Sequence, residues 1–312
     1  MASSRDEGVA RRSAHGTLCP PAKNPCPLSK GLHGRQMNRL GACSWSLEAD
    51  TPAVLARSLR EVGVQSAQVG LDALTRGTWQ AGFLRAAFED AGLAIASGMM
   101  GMLGEDYSTL ATIRASGGLR PDASWAANFN AARASASCAR ELGLDLVSFH
   151  AGFLPHAASD PERTKLIARL GAVADVFADE GLRLALETGQ ETAATLNSVL
   201  DELDRDNLGV NFDPANMILY AMGDPVEALR ILAPRVLQIH IKDARSTETP
   251  GEWGREVPVG SGEVDWPAFF GASAEAGLAC DLMIEREAGD QRVQDMRTAR
   301  ALVLDLCLED LS

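Results

Sequence analysis

The chain has 312 residues, 46% of them hydrophobic and 23% charged, which is the composition of a globular protein able to bury a sizeable core. Its formal net charge is −13, and because residues 1–36 hold six basic residues against Asp6 and Glu7, the remainder stands at −17. A body that acidic repels a phosphate backbone and excludes a general nucleic-acid binder. No apolar run approaches the roughly 20 residues that cross a bilayer.

The first 36 residues are rich in Ser, Gly, Pro, Lys and Arg and lack an apolar period, so they are predicted to be a disordered N-terminal extension. The twin arginine Arg11–Arg12 is followed by no apolar h-region, which argues against an export signal. The six cysteines form no C-x-x-C pair and no dense framework, as expected of free thiols in a reducing cytoplasm. At Met37 the character changes to "MNRLGACSWSL", the natural opening of a domain and a second candidate start of translation beside Met1.

From Met37 onward, strand-like and helix-like runs alternate. Strands are predicted at "RLGACSW" (39–45), "SAQVGL" (66–71), "LAIASGMM" (93–100), "LDLVSFH" (144–150), "LRLALE" (182–187), "LGVNFD" (208–213), "VLQIHI" (236–241) and "CDLMIE" (280–285). Most are short and apolar, as for strands buried on both faces. Asp50, Asp160, Asp224 and Asp265, each just ahead of a proline, are predicted helix N-caps; Gly63, Gly92, Gly143, Gly181 and Gly277 are predicted stops. Eight such units in residues 37–312 predict one α/β domain, a (β/α)8 TIM barrel. An open doubly wound sheet is the competitor, although no G-x-G-x-x-G follows the first strand.

In such a barrel the C-terminal strand ends and the following loops build the active site. Those ends carry His150, Glu187, Asp213, His240 and Glu285 on five consecutive predicted strands. Three carboxylates at one mouth repel one another unless a cation holds them. Three carboxylates and one imidazole suit a divalent metal ion, Mn²⁺ foremost, with Mg²⁺ and Co²⁺ as alternatives, more than a structural zinc.

The motifs "ALETG", "NFDPAN", "IHIKDA", "VPVGSGEVDW" and "MIEREAG" resemble the sugar phosphate isomerase/epimerase family with the xylose isomerase-like barrel, and the resemblance covers Met37 to the C-terminus. It implies that Glu187, Asp213, His240 and Glu285 are metal ligands, and that Glu187 and Glu285 act as the acid/base pair of a sugar or keto-sugar isomerase or epimerase working through an enediolate. A lyase or dehydratase acting on a keto-sugar or inosose from the same site is the alternative. The ketose 3-epimerases of the family carry a histidine three residues after the metal-binding aspartate, where this chain has Asn216. The endonuclease IV branch needs a multi-metal cluster with several histidines, and the three found after residue 36, together with the −17 body, argue against it.

Around this set, His150, Asn216, Lys242, Trp45 and His156 are predicted to meet substrate, Lys242 with a salt bridge to Asp243 or Glu256 as its bland alternative. Arg286 and Glu287 are predicted to form supporting salt bridges, and Trp266 to belong to the core. Glu105 and Tyr107 are read as a solvated loop, with part of a lid as the alternative, and "RASGGLRPDAS" (114–124) as a flexible one. The expected partner is a small-molecule sugar, with no nucleic acid and no membrane. The oligomeric state stays open, a homo-oligomer included.

Overall fold

A computed structural model describes residues 39–249 and 251–307. The predicted extension 1–36 and the alternative start at Met37 lie outside these residues. Seven barrel strands come first: β1 (Leu40–Cys43), β2 (Ser66–Gly70), β3 (Ala94–Met99), β4 (Leu146–Phe149), β5 (Arg183–Glu187), β6 (Leu208–Phe212) and β7 (Val236–Ile241). A short antiparallel pair follows, β8 (Asp243–Arg245) and β9 (Arg255–Val257), and then the last barrel strand, β10 (Asp281–Ile284). The intervening helices are α1 (Pro52–Val62), α2 (Asp72–Thr75), α3 (Ala81–Ala91), α4 (Leu110–Ser116), α5 (Asp122–Leu142), α6 (Pro161–Asp179), α7 (Ala193–Leu203), α8 (Pro214–Leu219), α9 (Pro225–Leu232), α10 (Trp266–Glu275) and α11 (Arg292–Cys307).

The last strand pairs in parallel with the first, Leu40 opposite Leu282 and Ala42 opposite Ile284. That pairing closes the ring in the order β1-β10-β7-β6-β5-β4-β3-β2, so the open sheet is excluded and the predicted barrel stands. Among the described residues no helix is long and apolar enough to cross a membrane.

Successive strand residues face opposite ways. Val69, Phe149, Leu186, Phe212 and Ile241 join Leu59, Phe88, Phe177 and Phe269 of the helices in the main buried cluster. At about 1.5–3 kcal/mol per large buried side chain, this sheath between sheet and helices dominates stability. The other face is different. Gln68, Ser97, Ser148, Asn211, Gln238 and His240 are all fully buried, and they bond between strands that are not neighbours, Gln68 of β2 to Ser148 of β4 at 2.7 Å and Ser97 of β3 to Gln238 of β7 at 2.6 Å. Such contacts can only cross the lumen. The strands are therefore apolar outward and largely polar inward, in contrast to the expectation of two apolar faces.

Asp160, Asp224 and Asp265 cap α6, α9 and α10 as predicted. Asp50 does not cap α1: Pro52 takes the first helical position, so the residue beside it, Thr51, accepts the amide hydrogen of Val54. The stretch 114–124 is also corrected. It spans the end of α4 and the start of α5, and Gly117, Gly118 and Leu119 between them are buried. Gly118 has φ +62 and lies so near the chain after β4 that a Cβ there would sit 2.1 Å from the Ala151 oxygen. The glycines serve close backbone approach, which composition alone reads as flexibility.

Candidate metal centre and active site

Glu187 ends β5, Asp213 follows β6, His240 lies on β7 and Glu285 follows β10, four strands that are consecutive in the ring. One potential ligand atom from each lies within 4.8 Å of the others, and all four residues are buried. Glu187 and Glu285 occupy the two ends of this arc, with Asp213 and His240 on the strands between.

Asp213, His240 and Glu285 are each fixed by one atom and free at another, while both oxygens of Glu187 are held. Asp213 is the N-cap of α8, so its Oδ1 accepts from the amides of Ala215 and Asn216 at 2.8 and 3.1 Å. Glu285 Oε1 accepts from the Trp45 indole at 2.6 Å. Glu187 takes the Asn216 amide on Oε1 at 3.0 Å and the Asn211 amide on Oε2 at 3.2 Å. The remaining atoms, Asp213 Oδ2, His240 Nδ1 and Glu285 Oε2, are buried without a hydrogen bond. Nδ1 lies 3.0 Å from Glu285 Oε2 and 3.4 Å from Glu187 Oε1, out of line for donation to either. Buried polar atoms without hydrogen bonds are rare, and three of them converging on one spot fit a divalent cation. The oxygen-rich donor set fits Mn²⁺, Mg²⁺ or Co²⁺.

The electrostatics agree. Lys242 Nζ lies 2.7 Å from Glu287 Oε2, 3.3 Å from Glu285 Oε2 and 3.7 Å from Asp213 Oδ2. It is paired with neither Asp243 nor Glu256; the Asp243 carboxylate instead accepts from the amides of Gly260 and Gly262 and from the Trp266 indole. Burial works to lower the Lys242 pKa, but Glu285, Glu287, Asp213 and Glu256 hold it well above its usual value. Burial likewise works to raise Glu187, yet His150, His240 and Lys242 hold it down at about 2, so this carboxylate is ionised. For His240 burial is outweighed by Cys43, Glu187 and Glu285, which raise its pKa well above the ordinary range. A proton and a divalent cation thus compete for the same place.

Of the other predicted residues, His150 Nε2 lies 3.6 Å from Glu187 Oε1, and the half-buried Trp45 ring lies 6.1 Å from that of His240. Asn216 reaches the site through Glu187. His156 is exposed; its ring bonds Thr195 Oγ1 at 2.7 Å and meets Phe153 edge-on, and neither partner belongs to the cluster. Arg286 bridges Glu256 and Asp295, each at 2.8 Å, while Glu287 pairs with Lys242, the supporting roles predicted for both. Trp266 is buried against Phe269 and Phe270, and the exposed Tyr107 donates to Glu105 Oε2 at 3.2 Å. The sequence reading missed the lumen residues beneath the cluster, Cys43, Gln68, Ser97, Asn211 and Gln238. For Gln68, Asn211 and Gln238 the signal was the polar residue at alternate positions of "SAQVG", "GVNFD" and "VLQIH".

The sequence model of the family described as the xylose isomerase-like TIM barrel matches residues 57–305. The chain belongs to that family. A crystal structure of a xylose isomerase domain protein from Planctomyces limnophilus matches this xylose isomerase-like barrel with a TM-score of 0.75 and 33% identity, over 80% of this chain and 91% of that one. A structure of L-ribulose 3-epimerase shares the fold with a TM-score of 0.67 at 21% identity, over 88% and 95% of the two chains. Among curated proteins, the uncharacterized protein YihM of Escherichia coli K12 is 35% identical over 96 residues, 30% of this chain and 29% of that protein. A 3-oxo-isoapionate decarboxylase of Pectobacterium atrosepticum is 29% identical over 117 residues, 36% of this chain and 42% of the decarboxylase. The chain therefore spans less than half the length of either curated relative.

Proposed function

We propose that this xylose isomerase-like barrel is a divalent-metal-dependent isomerase or epimerase of a sugar or keto-sugar in a reducing cytoplasm, working by carboxylate-mediated proton transfer through an enediolate. The observation that carries the reading is the convergence of Asp213 Oδ2, His240 Nδ1 and Glu285 Oε2, buried and without hydrogen bonds, beside the ionised Glu187. Glu187, Asp213, His240 and Glu285 would hold the ion, Mn²⁺ before Mg²⁺ or Co²⁺. Bound there, it supplies positive charge beside the oxyanion that develops as a C–H proton leaves.

The chain's own groups do the rest. Glu187, clamped by Asn216 and Asn211, and Glu285, clamped by Trp45, stand at opposite ends of the arc, suited to removing a proton on one side of a substrate and delivering one on the other. Lys242 and His150 lie beside these carboxylates, where a substrate oxygen gaining charge can be met. The Trp45 ring offers an apolar face to a sugar.

A second reading, a lyase or dehydratase using the same residues, is favoured by the partial match to a decarboxylase and by Asn216 in place of the epimerases' histidine. In it one carboxyl protonates a leaving hydroxyl instead of carbon. Glu187→Gln and Glu285→Gln decide whether these side chains move protons. With Mn²⁺ binding verified by titration, each should lower turnover by about 10²- to 10⁴-fold. Wild-type turnover in both, with metal bound, would make the glutamates ligands only. A dehydrated product would select the second reading.

A further inference from the structure

His240 is the one nitrogen donor of the cluster, and its usefulness as a ligand depends on which ring nitrogen carries the proton. Nδ1 faces the carboxylates, and Nε2 faces the barrel lumen. There Gln68 Oε1 lies 2.7 Å from Nε2, Asn211 Nδ2 2.9 Å and Cys43 Sγ 3.7 Å. The Gln68 amide is oriented from its far side, because its Nε2 donates to Ser148 Oγ at 2.7 Å and to the Gly98 carbonyl at 3.4 Å. Its oxygen must face the imidazole. The Asn211 amide is oriented the other way: its Nδ2 donates to Glu187 Oε2 at 3.2 Å, and its Oδ1 accepts from Gln238 at 3.3 Å. Nε2 is therefore bracketed by one acceptor and one donor at nearly equal distances.

These contacts serve opposite tautomers. With hydrogen on Nε2, the ring donates to Gln68 and presents a bare Nδ1 to Glu187, Asp213 and Glu285. With Nε2 bare, the ring accepts from Asn211 and its hydrogen lies on Nδ1, 3.0 Å from Glu285 Oε2. We propose that Gln68 is the positioning residue that selects the first tautomer and so makes His240 a metal ligand, while Asn211 supports the second. The inference rests on the metal reading above. Gln68 acts only through His240, and both are fully buried, so solvent cannot replace the lost acceptor.

The test compares wild type, Gln68→Met, which removes the acceptor at similar size, and Gln68→Glu, which keeps an acceptor. Mn²⁺ affinity is measured by calorimetry on chelator-stripped protein, folding by melting temperature, and the His240 tautomer by ¹⁵N side-chain spectra of the Mg²⁺-loaded protein. Gln68→Met should bind Mn²⁺ about 10- to 100-fold more weakly while folded, the usual effect of losing a partner to a metal-ligating histidine. Gln68→Glu should recover most of that loss, and wild type should show hydrogen on Nε2. Unchanged affinity in Gln68→Met overturns the proposal. So does an Nδ1–H signal in loaded wild type, which needs no variant to fold. A wild-type protein that binds no divalent cation fails the metal reading itself, and that result is seen before any variant is compared.

Discussion

Glu191 lies four residues beyond Glu187, just ahead of the Thr192 cap of α7, and is only 4% exposed. Burial alone pushes its pKa from 4.5 to about 8. An acid whose pKa is raised on folding binds its proton more tightly in the native state. Its contribution is therefore fully favourable below pH 4.5 and is lost as pH climbs from 4.5 through about 8. At about 1.4 kcal/mol per pH unit, that interval corresponds to about 5 kcal/mol, a large share of the roughly 5–15 kcal/mol that holds a typical domain folded. Glu191→Gln preserves size and removes the ionisation. In urea unfolding with chelator present, the variant should lie within about 1 kcal/mol of wild type at pH 5 and be more stable by about 3–5 kcal/mol at pH 9. An equal difference at both pH values would refute the reasoning. Glu187 has the opposite sign: held at about 2, it adds stability above pH 4.5 that disappears as pH falls toward 2.

Asp213→Ala and His240→Ala should each abolish most Mn²⁺ binding by calorimetry while the barrel stays folded; Asp213→Ala also loses the α8 cap, worth about 1 kcal/mol. Lys242→Met should destabilise chelator-treated protein by about 3 kcal/mol, because Asp213, Glu285 and Glu287 lose their shared cation, and saturating Mn²⁺ should restore part of it. Gly118→Ala should cost more than about 1 kcal/mol in denaturant unfolding, since its φ is +62 and its Cβ would collide with the Ala151 oxygen. Wild-type stability there would mean that the two loops do not need their close approach.

The barrel was legible because most strands end where a turn residue or charge interrupts an apolar run, and α1, α6, α8, α9 and α10 open on a side-chain cap and a proline. Glu187, Asp213, His240 and Glu285 were legible for the same reason: a charge closing a buried strand has few structural uses, and here four meet within 4.8 Å. Closure was inferred from the count of eight units and not from any one residue, since it depends on Leu40 finding Leu282 across 242 residues. The lumen was not legible. A glutamine at position 68 or 238 reads as a blemish in an apolar strand until the ring closes and turns it toward His240 or Ser97. Gly118 shows the same limit, because only the chain packed against it distinguishes a tight crossing from a flexible link.

The central claim is that a cation-loaded cluster moves a proton at a carbon beside a carbonyl. Wild-type protein, stripped with chelator and then reloaded with Mn²⁺, should be followed by NMR in D₂O with aldoses, ketoses, 3-keto-sugars and inososes. The account predicts that one of these acquires deuterium at the carbon next to its carbonyl in the reloaded protein and not in the stripped protein. Turnover at the same rate in exhaustively metal-free protein, or conversion with no solvent deuterium entering product in either wild type or a Gln variant, would contradict it.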